Sequence, residues 1–493
     1  FHHYLCRQLK GGGMEIFMKK VEHSAYLLRV KPLLKELIAE LEKEFAFVSV
    51  LASDSTAKVY SVSGRGVSVS EHSWLSGRGF VVRVYDGTDC GEYSFSEITK
   101  EEIPEIVKNV KELITLRRTV EGAFEVSSCE IPSEEETVLD QCTEYEISPE
   151  EQSDETIIAG LGELCRLAKD CDERVLDVSA VLNYQKYTKL YLSKKKDMIQ
   201  SVMWTNGSFV VMASRGEEIK DYYKSYSVLG GSELLEGMKK DVRDAVGVVI
   251  ELLDAKQMEP GEYECICAPD VTGMIVHEAF GHGVEMDMFV KDRALASRFI
   301  GRPVASSLVT MHDGAAAAKE TATYFFDDEG TLAGDTVVIE KGILKQGICD
   351  SVAAAHLKVR PTGNGRRESF ERKAYTRMTN TFFESGKDTV EDMIASISYG
   401  YLLENASSGM EDPKNWGIQC IVNIAREIKD GKLTGRIFSP IILTGYVLDL
   451  LKSISMMSKN VVLAGGGFCG KGSKEWVKVS DGGPYIKARI RLG

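Results

Sequence analysis

The sequence predicts an α+β fold in two parts: an N-terminal α+β domain with antiparallel hairpins, then a β-rich C-terminal domain. Three observations support this. Runs of alternating apolar and polar residues between Gly and Ser clusters mark short antiparallel strands. Amphipathic helices stand apart from those strands and do not alternate with them as repeated βαβ units, which disfavours a doubly wound parallel sheet. The chain has 493 residues, two to three times the usual size of one domain, so each half can bury its own core.

Taken in order, the residues FHHYLCRQLKGGG at positions 1–13 read as an addition ahead of a more natural start at Met14 or Met18, and the fold argument begins after them. In KPLLKELIAELEKEF, Leu34, Leu37, Ile38 and Leu41 recur at helical spacing, and Pro32 suits a first helical turn. Residues 47–95 alternate as hairpins (VSVLAS, KVYSVS, GVSVSE, GFVVRVYDG), and a helix is expected over 101–116. The stretch 119–154, with SEEE and SPEEQSDE, has little periodicity and reads as an acidic surface excursion. A helix over 155–169, strands over 174–212 and a long helix over 232–253 follow, before Pro260 and the strand GEYECICAP. This punctuation puts the domain boundary near 255, giving domains 14–254 and 255–493. Short strands, one helix over 390–404 and a Gly-rich tail complete the second domain.

Hydrophobic residues make up 43% of the chain and charged residues 27%, proportions of an ordinary folded protein. The net charge is −14 with basic residues scattered, so nucleic acid is not an expected partner; Lys194, Lys195 and Lys196 before Asp197 are too few for a phosphate-binding or membrane patch. No apolar run approaches the ~18–20 residues of a membrane span. Eleven cysteines at irregular spacing do not form a disulfide framework, which points to a reducing, cytoplasmic setting.

Chemistry concentrates in MIVHEAFGHGVEMD, which places two of the eight histidines, His277 and His282, five residues apart with Glu278 beside the first. In the usual zinc-peptidase pattern the histidines are four apart, roughly 40° around a regular helix; five apart they are roughly 140° apart. Both reach one ion only if the helix widens into a π-turn or ends before His282, and Gly281 and Gly283 allow that freedom. Glu278 would then stand beside the ion without binding it, where a general base acting on water is needed. The competing view is a packed or solvated helix face. Two imidazoles rarely hold a catalytic ion, and Cys469 in LAGGGFCGKGSKEW offers a thiolate as third ligand, unless it is merely a small residue in a Gly-rich turn. His312 and His356 lack ligand-spaced companions and read as structural. FFDDEGT could hold a hard cation at Asp327, Asp328 and Glu329 but reads rather as a turn, and RPTGNGRRESF is a weak anion-cradle signal.

In their order and spacing, HEAFGHGVEMD, DDEGT, PTGNGRRES, RMTN and the terminal CGK resemble the TldD/PmbA family of metallopeptidases in its active, TldD-like branch. The likeness is strong over 276–471 and holds only in style before that. It implies a metallopeptidase with one Zn2+ held by His277, His282 and Cys469 and with Glu278 as base, acting on peptides or unfolded segments drawn in as extended strands. It also implies a homodimer, or a heterodimer with a paralogue lacking the motif. SSGMEDPKNWGIQC and GSKEWVKVSDGGP depart from the commoner family pattern, which leaves the metal set intact and the substrate-binding residues unassigned. Two alternatives remain in view: a non-catalytic binding subunit of such a pair, and a thiol hydrolase with Cys469 as nucleophile.

Overall fold

The computed structural model describes residues 18–87, 90–120, 133–472 and 474–493, and the side chains of all of these except 116–120. Positions 1–13, and the part of the acidic stretch at 121–132, lie outside the described residues.

The first helix, Ala25–Leu41, starts ahead of the point that Pro32 suggests, because Ser24 caps it by accepting the Leu27 amide. Pro32 therefore sits inside the helix, on its exposed side, where water can satisfy the carbonyl that loses its partner. The opposite face buries Leu27, Leu34, Leu37 and Leu41 against Val50, Phe80 and Val82 of the sheet. That sheet has eight strands among the described residues, with Phe47–Ser63 between Gly77–Tyr85 and Val175–Ser193, and Lys196–Arg215 and Glu218–Val228 beyond. Its long hairpins are antiparallel, as the alternation predicts.

Three sequence expectations need correction. The acidic stretch contains a strand, Thr137–Cys142, that pairs in parallel with Lys196–Arg215. The single helix expected over 232–253 is two, Leu234–Lys240 and Val242–Leu252, meeting at Asp241. The Asp241 carboxylate is held there by the Tyr226 hydroxyl at 3.0 Å and Lys224 at 2.8 Å, which tie the junction to the neighbouring strand. The helix expected over 390–404 stops at Ala395, and Tyr399–Asp412 is a strand instead. It pairs in parallel with Gly261–Cys267 and antiparallel with Gly417–Lys429, so tertiary pairing overrides a helical reading of SYGYLLE.

The C-terminal part holds a seven-stranded sheet around Tyr399–Asp412, Gly417–Lys429 and Ile486–Leu492, and a six-stranded sheet around Met311–Asp313, Asn380–Phe383 and Ser480–Gly483. The architecture is α+β and rich in strands. One large apolar cluster draws entirely on residues from Met258 onward and includes Val276, Phe280, Met378 and Cys469. Two clusters built from residues before 254 fill the N-terminal part. Phe326 among Leu51, Val81, Tyr191 and Met198 joins the two halves. No described helix is long and apolar enough to cross a membrane.

Candidate metal centre

Pro269 opens the helix Pro269–Met274, which continues as a π-helix over Ile275–Gly281 and a 3₁₀ turn over His282–Val284. The His282 amide donates to the His277 carbonyl, a five-residue bond that puts the two histidines on one side. Their ring centroids are 5.1 Å apart with planes at 86°. Gly281 is required by close approach: a Cβ there would lie 2.1 Å from Met378 Sδ.

Cys469 arrives from the hairpin Phe468–Lys471 and Lys474–Lys478, opposite Val477. Its Sγ is 3.3 Å from His282 Nε2, and donor atoms of His277, His282 and Cys469 all lie within 4.8 Å of one another. Burial pushes the Cys469 thiol up, but the two imidazoles outweigh it and hold the thiol well below its ordinary value. Burial alone would lower both histidines, yet the thiolate raises His277 to about 9 and His282 well above its usual range. Glu278 Oε2 is 4.0 Å from His282 Nε2, and burial raises its carboxyl. Gly409 makes room for it, since a Cβ there would meet Glu278 Cγ at 2.5 Å.

The residues present fit a divalent ion. His277 Nδ1 is buried without a protein hydrogen-bond partner, with Asp481 Oδ2 at 4.0 Å. Two imidazoles and a thiolate are the donor chemistry that zinc takes, with a coordination position left open.

Sequence reasoning missed the residues that orient these donors. Glu285 is fully buried, 3.4 Å from His282 Nδ1, and is held by Lys471 at 2.9 Å and Arg377 at 3.5 Å. Burial pushes the Glu285 carboxyl up, but Lys471, His282 and Arg377 pull it well below the carboxylate range. Arg377 of RMTN donates to the Cys469 carbonyl at 2.7 Å and to the Glu475 carbonyl, so it pins both strands of the Cys469 hairpin. Both charges are signalled in the sequence only by their nearness to a motif, Glu285 three residues after His282.

The other singled-out segments lie elsewhere. Asp327 accepts the Glu329, Thr331 and Gly365 amides, which makes DDEGT a turn, while Asp328 pairs with Lys189 and Glu329 with Arg83 at 2.6 Å. In GNGRR, Asn364 donates to Asp313 at 2.7 Å and Arg366 to the Met378 carbonyl at 2.6 Å, so both residues brace the fold. His312 is held by Asp335 at 2.7 Å and Glu384 at 2.9 Å; neither it nor His356 is among the clustered donors.

Residues 260–490 match the PmbA/TldA metallopeptidase C-terminal domain. A metalloprotease TldD homolog of Buchnera aphidicola is 33% identical over 246 residues, 50% of this chain and 50% of that protein, so the chain spans about half the length of this relative. A metalloprotease of Synechocystis sp. is 25% identical over 470 residues, 94% of this chain and 98% of that protein. The crystal structure of TldE from Thermococcus kodakarensis superposes with a TM-score of 0.73 at 19% identity, covering 93% of this chain and 99% of that one, which establishes the shared fold. Residues 260–490 thus belong to the C-terminal domain of the TldD/PmbA family, and the chain as a whole shares the fold of TldE.

Proposed function

We propose that the chain is a zinc-type metallopeptidase that hydrolyses peptide bonds in peptides or unfolded protein segments, with His277, His282 and Cys469 as metal ligands and Glu278 as general base. One observation carries the reading: two imidazoles and a depressed thiol converge within 4.8 Å, and a half-buried carboxyl stands beside them without joining the set. A bound divalent ion would polarise the scissile carbonyl and make a water acidic enough to attack at neutral pH. Glu278 takes the proton from the attacking water and passes it to the leaving amine nitrogen. Glu285 holds the His282 ring through Nδ1, whereas Asp481 faces His277 Nδ1 at 4.0 Å without a hydrogen bond.

A cleft of about 450 Å³ beside the Cys469 hairpin is lined by Trp74, Trp204, Phe468 and Trp476 together with Lys189 and Arg366. His277, Glu278 and His282 do not line it, whereas Phe468 and Val477, which flank and pair with Cys469, do. We assign to this cleft a stretch of extended substrate that flanks the scissile bond, the scissile bond itself lying at the metal centre. Its partner is a second copy of the chain or a paralogue lacking the motif, a pairing consistent with the TldE likeness.

The test is metal content and hydrolysis of a denatured protein by the full-length chain. Chelation should abolish hydrolysis and zinc should restore it, and Glu278→Gln should keep its metal while losing about 10²–10⁴-fold in turnover. Near-normal turnover in Glu278→Gln would sink the mechanism. The close Cys469–His282 pair favours a second reading, a thiol hydrolase, and hydrolysis that survives chelation would select it.

A further inference from the structure

We propose that His23, Asp140 and Cys142 form a second site for a divalent cation of the zinc class, one that clips the start of the helix Ala25–Leu41 to the strand Thr137–Cys142. Donor atoms of these three residues lie within 4.8 Å of one another. Asp140 and Cys142 are two apart on a strand, so both side chains fall on one face, toward His23. His23 Nε2 is 2.9 Å from Asp140 Oδ1 and 3.7 Å from Cys142 Sγ. Zinc bond lengths in a tetrahedral shell place nitrogen and oxygen ligands roughly 3.3 Å apart and nitrogen and sulfur roughly 3.6 Å apart, so only small side-chain adjustments separate this arrangement from a ligand set.

A chain of hydrogen bonds orients the imidazole. His23 Nδ1 meets Ser201 Oγ at 2.7 Å, Ser201 Oγ meets Thr188 Oγ1 at 2.8 Å, and the Ser24 amide donates to Thr188 Oγ1 at 2.9 Å. Ser201 and Thr188 are buried, so His23 stands on a fixed platform. An ion at Nε2 would replace the 2.9 Å contact between His23 and Asp140, with the imidazole proton carried on Nδ1 toward Ser201 Oγ and both Nε2 and the carboxylate free to bind. Asp140, 76% exposed at its side chain, opens the site to solvent.

The same three residue types could suggest a cysteine nucleophile, but both His23 nitrogens are already engaged, by Ser201 and by Asp140. Burial and Asp140 also push the Cys142 thiol up. Binding would exchange the thiol proton for the ion and close a loop of more than a hundred residues.

The test uses the full-length protein equilibrated with zinc chloride and freed of excess metal. Relative to the parent, the double variant Cys142→Ser, Asp140→Asn should lose about one zinc equivalent and keep its peptidase activity. Labelling of Cys142 by iodoacetamide should slow about tenfold or more when zinc is added to the parent, and should be indifferent to zinc in His23→Gln. A double variant that holds as much zinc as its parent, or a Cys142 labelled at one rate with and without zinc, overturns the site. Cys469→Ser, assayed separately, reports on the other centre, so failure of one assignment is distinguishable from failure of the other.

Discussion

Cys469 is the residue whose chemistry differs most from that of its chemical peers. Burial pushes the thiols of Cys165 to about 11 and of Cys349 and Cys420 to about 12, whereas the two imidazoles hold Cys469 well below the usual range. In metal-free protein it should therefore be a thiolate that alkylates ahead of those three, and metal should protect it selectively. Mass-spectrometric mapping with and without chelator checks this; equal labelling in both states would reduce Cys469 to a turn residue. Cys469→Ser should weaken zinc binding at least about tenfold, because a neutral hydroxyl replaces a thiolate. The donors were legible because they sit in two short, unusual strings, HEAFGH and GGGFCGK. Glu285, Arg377 and Asp481 were not, because each acts through a contact made only after folding: Arg377 reaches the Cys469 carbonyl across 92 residues of sequence.

At the scale of elements, the five-residue spacing of the histidines predicts a widened helix, and a π-helix is what Ile275–Gly281 forms. The strand Tyr399–Asp412 was misread because its apolar run fits either structure locally, and its two strand partners decide the outcome. That strand also limits where Glu278 can stand. Gly409 has no positive φ, so Ala is conformationally acceptable there, yet its Cβ would meet Glu278 Cγ at 2.5 Å and Cys420 Sγ at 3.2 Å. Both neighbours are held close to their own backbones, so Glu278 must move. Gly409→Ala should keep full metal content and lose about 10²-fold in kcat, the cost of misplacing a catalytic group by about 1 Å. Unchanged kcat in a folded Gly409→Ala protein would mean that the position of Glu278 is not critical.

Over the whole molecule, the boundary we propose near residue 255 separates apolar clusters that composition and punctuation anticipate, but the polar part of the joint between the halves left no periodic trace. Glu92 of the strand Cys90–Phe95 pairs with Arg83 at 2.6 Å and with Arg367 at 2.9 Å, and Arg83 reaches Glu329 at 2.6 Å. Burial raises the Glu92 carboxyl, but the two guanidiniums outweigh it and bring it from 4.5 down to about 2. A carboxyl depressed by folding stabilises the folded state fully above its unfolded value, and that stabilisation is lost as pH falls toward the folded value. The window for Glu92 therefore runs from about pH 4.5 down to about pH 2. Each unit within it is worth at most about 1.4 kcal/mol. Glu92→Gln removes this titration and leaves Arg367 without its carboxylate, so it should be less stable than the parent at neutral pH. The gap should close by about 1 kcal/mol for each unit of acidification below pH 4.5. Urea unfolding of both proteins at pH 7, 4.5 and 3.5 measures it. A gap that stays constant through that range would mean that the Arg83–Glu92–Arg367 network does not couple the two halves electrostatically.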